Sequence, residues 1–453
     1  MKKTLAALLM SAIMCVTACS GQPQESPVNS AETAEAATVG LQRPDISGLT
    51  SQEIVSSMTI GWNLGNTLDA CQADRDGDGV INEHVPDGEE PDETLWGNPK
   101  ATPELFQALW DSGVNAVRIP VTWRDHIDEA GNISASWLDR VQEVVDYAYD
   151  IEMYVSINVH HDGGGDPQFG AWICNAATDY DSTLARYTNL WTQIADRFQD
   201  YDEHLIFESM NEVGFDSLSV PKAYKTLNRL NQAFVDLIRS SGGKNPKRHL
   251  LIAGYWTDIQ KTCNNLYQMP EDPAGRCIVS VHYYTPWDFC TTNIKNEWGT
   301  ESEQREMESL IGMMKTNFTD KGIPVIVGEY AASGNDFNSC VFFCEKLVKM
   351  CHDYGIATFL WDNGNGQFDR SMNTWRSEQM HSALQRAVSG EDYTPEKAQW
   401  ALHNWKKRRF LNPRFFAQYK HNKKPRHSYW ESRFWCRWRD LNPHDLAITS
   451  TWS

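Results

Sequence analysis

The chain has 453 residues, 41% of them hydrophobic, which is enough apolar side chain for one large core or two ordinary ones. A formal net charge of −19 argues against a polyanionic partner such as nucleic acid. Eighteen tryptophans are many for this length and supply flat apolar faces, as core filler or as stacking surface for a planar ligand.

At the N-terminus, Lys2 and Lys3 precede an apolar stretch, LAALLMSAIM, too short for a stable membrane span. Residues 1–18 therefore read as an export signal. Val16-Thr17-Ala18-Cys19 resembles a bacterial lipobox, with cleavage before Cys19 and acylation of it, and Ser20 resembles sorting to the outer membrane. Ordinary cleavage nearby, giving a freely secreted protein, is the alternative. Residues 19–45 are small, polar and Pro-containing, a flexible tether.

Short apolar runs bounded by turns follow in chain order: TIGWNLG (59–65), NAVRIPV (115–121), MYVSINV (153–159), HLIFESM (204–210), HLLIAGY (249–255), CIVSVHYY (277–284), IPVIVGE (323–329) and IATFLWD (356–362). Amphipathic stretches of helical length separate them, such as SWLDRVQEVVDYAYD (136–150), LARYTNLWTQIADRF (184–198), AYKTLNRLNQAFVDLIRS (223–240) and VFFCEKLVKMCHDY (341–354). Near-continuous hydrophobic strands alternating with helices mean a parallel sheet covered on its outer side. Eight such units predict an α/β fold, a (β/α)8 TIM barrel, as a single domain over residues 46–390.

After the first run, Asp74, Asp76, Asp78, Val80 (through its carbonyl) and Asn82, with Gly79 at the turn, resemble the first nine positions of an EF-hand-like calcium loop. The twelfth position is Val85 rather than an acid, so the last ligand would come from Glu83, Asp87 or another nearby acid, or be absent. Any calcium there would be structural, and a solvated acidic loop is the alternative. Removing Cys15, Cys19 and Cys436 leaves eight cysteines: Cys71, Cys174, Cys263, Cys277, Cys290, Cys340, Cys344 and Cys351. An even set in an exported chain suggests disulfides, with Cys263 and Cys277 the preferred pair, whereas Cys340, Cys344 and Cys351 share a helical face and suit simple burial.

In a TIM barrel the functional residues gather at the C-terminal ends of the strands. Polar or aromatic residues stand there on seven of the eight: Asn66, Arg118, His160 with His161, Asn211 with Glu212, His282 with Tyr284, Glu329, and Trp361. Buried alone each polar one would be costly, so they serve one another. Glu212 and Glu329 each end an apolar run, and two tuned acids facing one site are the equipment for breaking a glycosidic bond.

GWNLGNTLDA (61–70), WGNP (96–99), VNAVRIPVTW (114–123), INVHHD (157–162), LIFESMNE (205–212), SVHYYTP (280–286), PVIVGEY (324–330) and FLWDNG (359–364) together resemble glycoside hydrolase family 5, most of all its bacterial endo-β-1,4-glucanases. The resemblance covers about residues 50–390 and implies a retaining enzyme acting on internal bonds of cellulose and related β-glucans. It implies that Glu212 is the general acid/base and Glu329 the nucleophile, supported by Arg118, His160, Asn211, His282 and Tyr284. Asn66, His161 and Trp361 become sugar contacts, and Trp96, Trp123, Trp172 and Trp287 either extend the cleft or fill core. Val213 stands where the family usually has proline, and Tyr330-Ala331 replaces a commoner Phe-Gly, which touches substrate detail rather than activity. Xyloglucan and mannan enzymes share the apparatus and are the nearest alternatives. The implied partner is a polysaccharide alone, with no cofactor for catalysis, a monomeric state, and membrane contact only through the lipid.

A different class remains open. His160, His161, Asp162 and His282 at strand ends could hold a divalent metal for amide or phosphoester hydrolysis, although the first strand lacks the His-x-His such barrels carry. A non-catalytic sugar-binding barrel would be expected to have lost a carboxylate, and both are present. From residue 391 to 453 thirteen Lys and Arg against six Asp and Glu, with six tryptophans and little periodicity, mark a basic tail. It reads as disordered or as a product of a shifted reading frame, ahead of a wall-adhering extension.

Overall fold

The apolar runs become strands and the amphipathic stretches become helices in the order foreseen. The computed structural model describes residues 45–74, 91–164, 169–334 and 336–395. Cys19, the tether, the loop residues Asp76, Asp78, Val80 and Asn82, and the basic tail lie outside them. The strands are β1 (Ile60–Asn63), β2 (Val114–Ile119), β3 (Tyr154–Asn158), β4 (Leu205–Glu208), β5 (Leu250–Ala253), β6 (Cys277–Tyr283), β7 (Val325–Tyr330) and β8 (Ala357–Leu360). They form a closed parallel barrel, and β8 pairs back to β1 through Gly61 with Phe359 and Trp62 with Leu360.

Ten helices are described: α1 (Ser51–Ser57), α2 (Pro103–Asp111), α3 (Ala135–Tyr149), α4 (Tyr180–Arg197), α5 (Val220–Ser240), α6 (Ile259–Thr262), α7 (Trp287–Cys290), α8 (Glu301–Asn317), α9 (Phe337–Asp353) and α10 (Glu378–Ala387). Their starts are written locally. Thr50 with Glu53, and Thr300 with Glu303, close capping boxes on α1 and α8, and Thr102 caps α2 ahead of Pro103. Each such cap is worth about 1 kcal/mol.

The strand period of two sorts the side chains. Val117, Val155, Leu205, Phe207, Ile252, Val279 and Val325 face outward, in one apolar layer with Trp191, Phe234 and Leu347 of the helices. Their neighbours Ala116, Ile206, Leu251, Ile278, Ile326 and Phe359 face inward and meet Ile54 and Val55 of α1. That helix closes the N-terminal end of the barrel over an apolar floor. One step along each strand the interior turns polar, with Asn63, Arg118, Asn158, Glu208 and Ser280 all fully buried. Such groups are tolerated only when they satisfy one another.

No disulfide forms among the described cysteines; all eight are free thiols, which corrects the expected pairing. Cys263 caps α6, whereas Cys277 opens β6 with its thiol 3.3 Å from an Asp272 carboxylate oxygen. Cys340, Cys344 and Cys351 are buried along α9 and act as small apolar side chains.

Candidate active site

The polar layer converges on Arg118. Its Nε donates to Glu208 Oε2 at 2.6 Å, Nη1 to Glu329 Oε1 at 2.7 Å and to Asn63 Oδ1 at 3.1 Å, and Nη2 to Asn211 Oδ1 at 2.8 Å. Burial pulls the guanidinium pKa down, but the charges of Glu208 and Glu329 outweigh it and hold the pKa above its usual value. Arg118 is therefore permanently charged, and its planar fork fixes four partners at once.

Glu329 reaches this site through an irregularity in β7. Ser280 pairs with Ile326 and Val281 with Val327, but His282 then pairs with Glu329 rather than Gly328. In a regular strand Glu329 would face outward with Val325 and Val327, because parity alternates. The extra residue at Gly328 reverses that parity and aims the carboxylate into the barrel mouth. A Cβ on Gly328 would stand 3.3 Å from His282 Nε2 and 3.4 Å from Ser280 Oγ, a tight fit that would make the histidine ring give by a few tenths of an ångström. The second oxygen of Glu329 accepts from the Tyr284 hydroxyl at 2.9 Å. Burial, and then the Glu329 charge, push the Tyr284 phenol well above its usual pKa, so it stays a donor.

Glu212 follows β4, where the Asn211 amide bonds the Val159 carbonyl at 3.0 Å and a bridge joins Val213 to Tyr255. One Glu212 oxygen lies 2.7 Å from His282 Nδ1, which is itself 3.7 Å from Glu329 Oε2. His282 Nε2 is buried with no hydrogen-bond partner, so the ring makes its one side-chain hydrogen bond through Nδ1, to Glu212. The Glu212 side chain is 44% exposed and that of Glu329 only 7%, so one acid meets the cleft and the other lies at its floor. Ligand atoms of Glu212, His282 and Glu329 all lie within 4.8 Å of one another. With one oxygen of each acid this close, both carboxylates can reach one anomeric carbon, an arrangement compatible with the roughly 5–5.5 Å carboxyl separation of double displacement.

Both acids line one cleft of about 2390 Å³. Pockets for a compact ligand hold about 300–1,000 Å³, so this one suits a chain of rings. Asn66, His160, His161 and Trp361 also line it, and so do Trp96 and Trp287, for which the sequence left cleft and core equally open. Trp361 lies 5.9 Å from the His160 ring at an interplanar angle of 7°, a flat wall beside the acids. Trp96, His161 and Phe169 cluster at centroid distances of 4.6–5.7 Å and extend the aromatic surface. Burial lowers the His161 pKa to about 3 and that of His160 well below its usual value, so both rings are neutral near pH 7.

Trp123 and Trp172 do not join this surface. Trp123 is fully buried and donates to the Asn158 carbonyl, and Trp172 is buried with its indole nitrogen 2.6 Å from Asp162. The second Asp162 oxygen accepts the Trp123 backbone amide at 2.7 Å, so both oxygens of this buried carboxylate are engaged in holding the two tryptophans. Among the described residues the other set of metal-binding type is Asp69, His160 and His161. Arg118, Arg124 and Arg370 act on those three groups, a field that opposes a second cation. The four residues of the metal-hydrolase alternative are thus divided, His160 and His161 standing with Asp69, His282 with the two glutamates, and Asp162 apart with Trp123 and Trp172.

Sequence reading missed Glu208, Asn63, Ser280 and Phe169. Glu208 carried a usable signal, a charge inside a core-seeking run at the parity of Ile206. Phe169 carried none.

A family model described as cellulase (glycosyl hydrolase family 5) matches residues 74–367. Endoglucanase A of Paenibacillus barcinonensis is 34% identical over 384 residues, covering 76% of this chain and 92% of that protein. The solved structure of a GH5-4 broad-specificity endoglucanase from an uncultured bovine rumen ciliate superimposes with a TM-score of 0.68 at 35% identity, over 76% of this chain and 99% of that one. A family 5 xyloglucanase from Paenibacillus pabuli gives 0.66 at 33% identity, over 74% and 98%.

Proposed function

The chain belongs to glycosyl hydrolase family 5 and is a retaining endo-β-1,4-glucanase, and from that premise we propose that Glu329 is its nucleophile and Glu212 its general acid and base. The observation that carries this reading is the pair of acids in one cleft with an oxygen of each within 4.8 Å of the other, each held by different partners. Glu329, ionised and gripped by Arg118 and Tyr284, attacks the anomeric carbon. Glu212, exposed toward the substrate, gives its proton to the leaving oxygen. Esterification removes the Glu329 charge, so Glu212 as carboxylate then takes a proton from water, which cleaves the ester. Asn211 has its oxygen on Arg118, which leaves its NH2 to donate to the 2-hydroxyl of the reacting sugar. Two carboxylates supply every proton and electron pair, so the chemistry needs no cofactor.

The long open cleft with an aromatic wall supports unbranched β-glucan as substrate. Rates on carboxymethylcellulose, barley β-glucan, xyloglucan and glucomannan test this. The first two are cleaved fastest, and inactivity on both with turnover of glucomannan alone would overturn the assignment. Xyloglucan is the second reading, favoured by the match to a xyloglucanase over 98% of its length. Glu212→Ala and Glu329→Ala each lower turnover by several powers of ten.

Two further readings rest on sequence. Asp74 to Asn82 bind a structural calcium, so calcium raises the melting midpoint and a chelator lowers it while rates measured below that midpoint hold. Cys19 carries lipid, so radiolabelled palmitate enters the full chain and not its Cys19→Ala variant. Failure of either signal removes that reading.

A further inference from the structure

Arg118 faces two carboxylates, and only one of them reacts. Glu208 on β4 is fully buried, its Oε2 on Arg118 Nε at 2.6 Å and its Oε1 accepting from Ser280 on β6 at 2.8 Å. It does not line the cleft, so it touches no substrate. We propose that Glu208 is a positioning residue, the permanent counter-ion of Arg118 that lets Glu329 give up its charge to the sugar. This rests on Glu329 being the nucleophile.

Charge has to balance within this buried interior. Before the first step Arg118 carries +1 against −1 on each of Glu208 and Glu329. As the bond from Glu329 to the anomeric carbon forms and the glycosidic bond breaks, the Glu212 proton leaves with the sugar oxygen and Glu329 becomes a neutral ester. Arg118 and Glu208 then balance. Without the Glu208 charge the free enzyme would balance instead, and the intermediate would hold an unpaired buried guanidinium, a costly state. The other groups at hand do not substitute. His160 is held neutral, Tyr284 stays protonated, His282 is hydrogen-bonded to Glu212, and Glu212 lies beyond that histidine at the exposed side of the site.

The two half-reactions therefore respond in opposite directions. Glycosylation, read as kcat/KM, discharges Glu329 and needs Glu208. Deglycosylation restores the Glu329 charge and is helped by a bare guanidinium. The test uses Glu208→Gln, nearly isosteric, with an activated aryl β-cellobioside whose kcat reports deglycosylation. Sites are titrated with a 2-deoxy-2-fluoro analogue, so unfolded protein does not count. We expect kcat/KM to fall by about 10- to 100-fold while kcat holds or rises. Equal falls in both, or no change in either, overturn the proposal.

Glu208→Asp is the second variant. It keeps the charge but leaves a void, so a counter-ion role ranks its kcat/KM above that of Gln, and a packing role ranks it below. Peptide mass mapping of the fluoro-sugar adduct separates the two layers. An adduct away from Glu329 sinks the assignment of the nucleophile, whereas an adduct on Glu329 with unmoved rates sinks the role of Glu208 alone.

Discussion

Replacing Arg118 with lysine keeps a positive charge and removes the fork that distributes it. The arginine makes four bonds to Glu208, Glu329, Asn63 and Asn211, and a single ammonium on a shorter stem reaches at most one of the two carboxylates. A buried carboxylate left without its partner costs about 3–5 kcal/mol of folding stability. The bonds to Glu329 and Asn211 are charge-assisted, about 1.5–3 kcal/mol each, and both aim groups that meet the reacting sugar. Losing both predicts a fall in kcat/KM of about 10²- to 10⁴-fold, at about 1.36 kcal/mol per factor of ten. Because Arg118 is fully buried, the loss appears in kcat with KM little changed. Steady-state rates on barley β-glucan, with the denaturation midpoint of the same sample, test it. A near-native kcat, or a raised KM with kcat intact, would refute the picture of Arg118 as the fixed centre of the site.

Trp361→Ala removes a cleft wall and should raise KM for a soluble β-glucan severalfold, whereas Trp123→Phe, fully buried, should lower the melting midpoint and leave KM alone. The reverse pattern would contradict the placement of the two tryptophans. Burial, and then the charges of Arg276, Arg239 and Arg248, lower the His249 pKa to about 3. A depressed folded value stabilises above the unfolded pKa, about 6.5, and that stability is lost as pH falls toward the folded one. Between pH 7.5 and 5 this removes about 2 kcal/mol, so urea midpoints of His249→Gln should fall less steeply over that interval, and parallel curves would refute it.

The barrel was legible because its signals are local. All eight apolar runs became strands, and TIGWNLG and IATFLWD each lost only one residue at the start and two at the end. Arg118, His282 and Tyr284 were readable for the same reason, as costly polar groups at one end of a buried strand. Glu329 was placed rightly but for an incomplete reason. Simple alternation with Val325 and Val327 would turn it away from the cleft, and the bulge that rescues it depends on how β7 meets β6. Glu208 hid inside an apolar run, because its partners lie on strands distant in sequence. Trp96 and Trp123 look alike in sequence, and only packing decides that one lines the cleft and the other is buried. The cysteines misled because an even number fits bridges and buried thiols equally well.

The central claim is that Glu329 and Glu212 act on opposite sides of one anomeric carbon. Azide supplied to Glu329→Ala with an aryl β-cellobioside measures this directly, since the small anion enters the space the carboxylate vacates. Turnover should recover and the product should be α-cellobiosyl azide by proton NMR. Formation of the β-azide, or no recovery at any azide concentration, would contradict it.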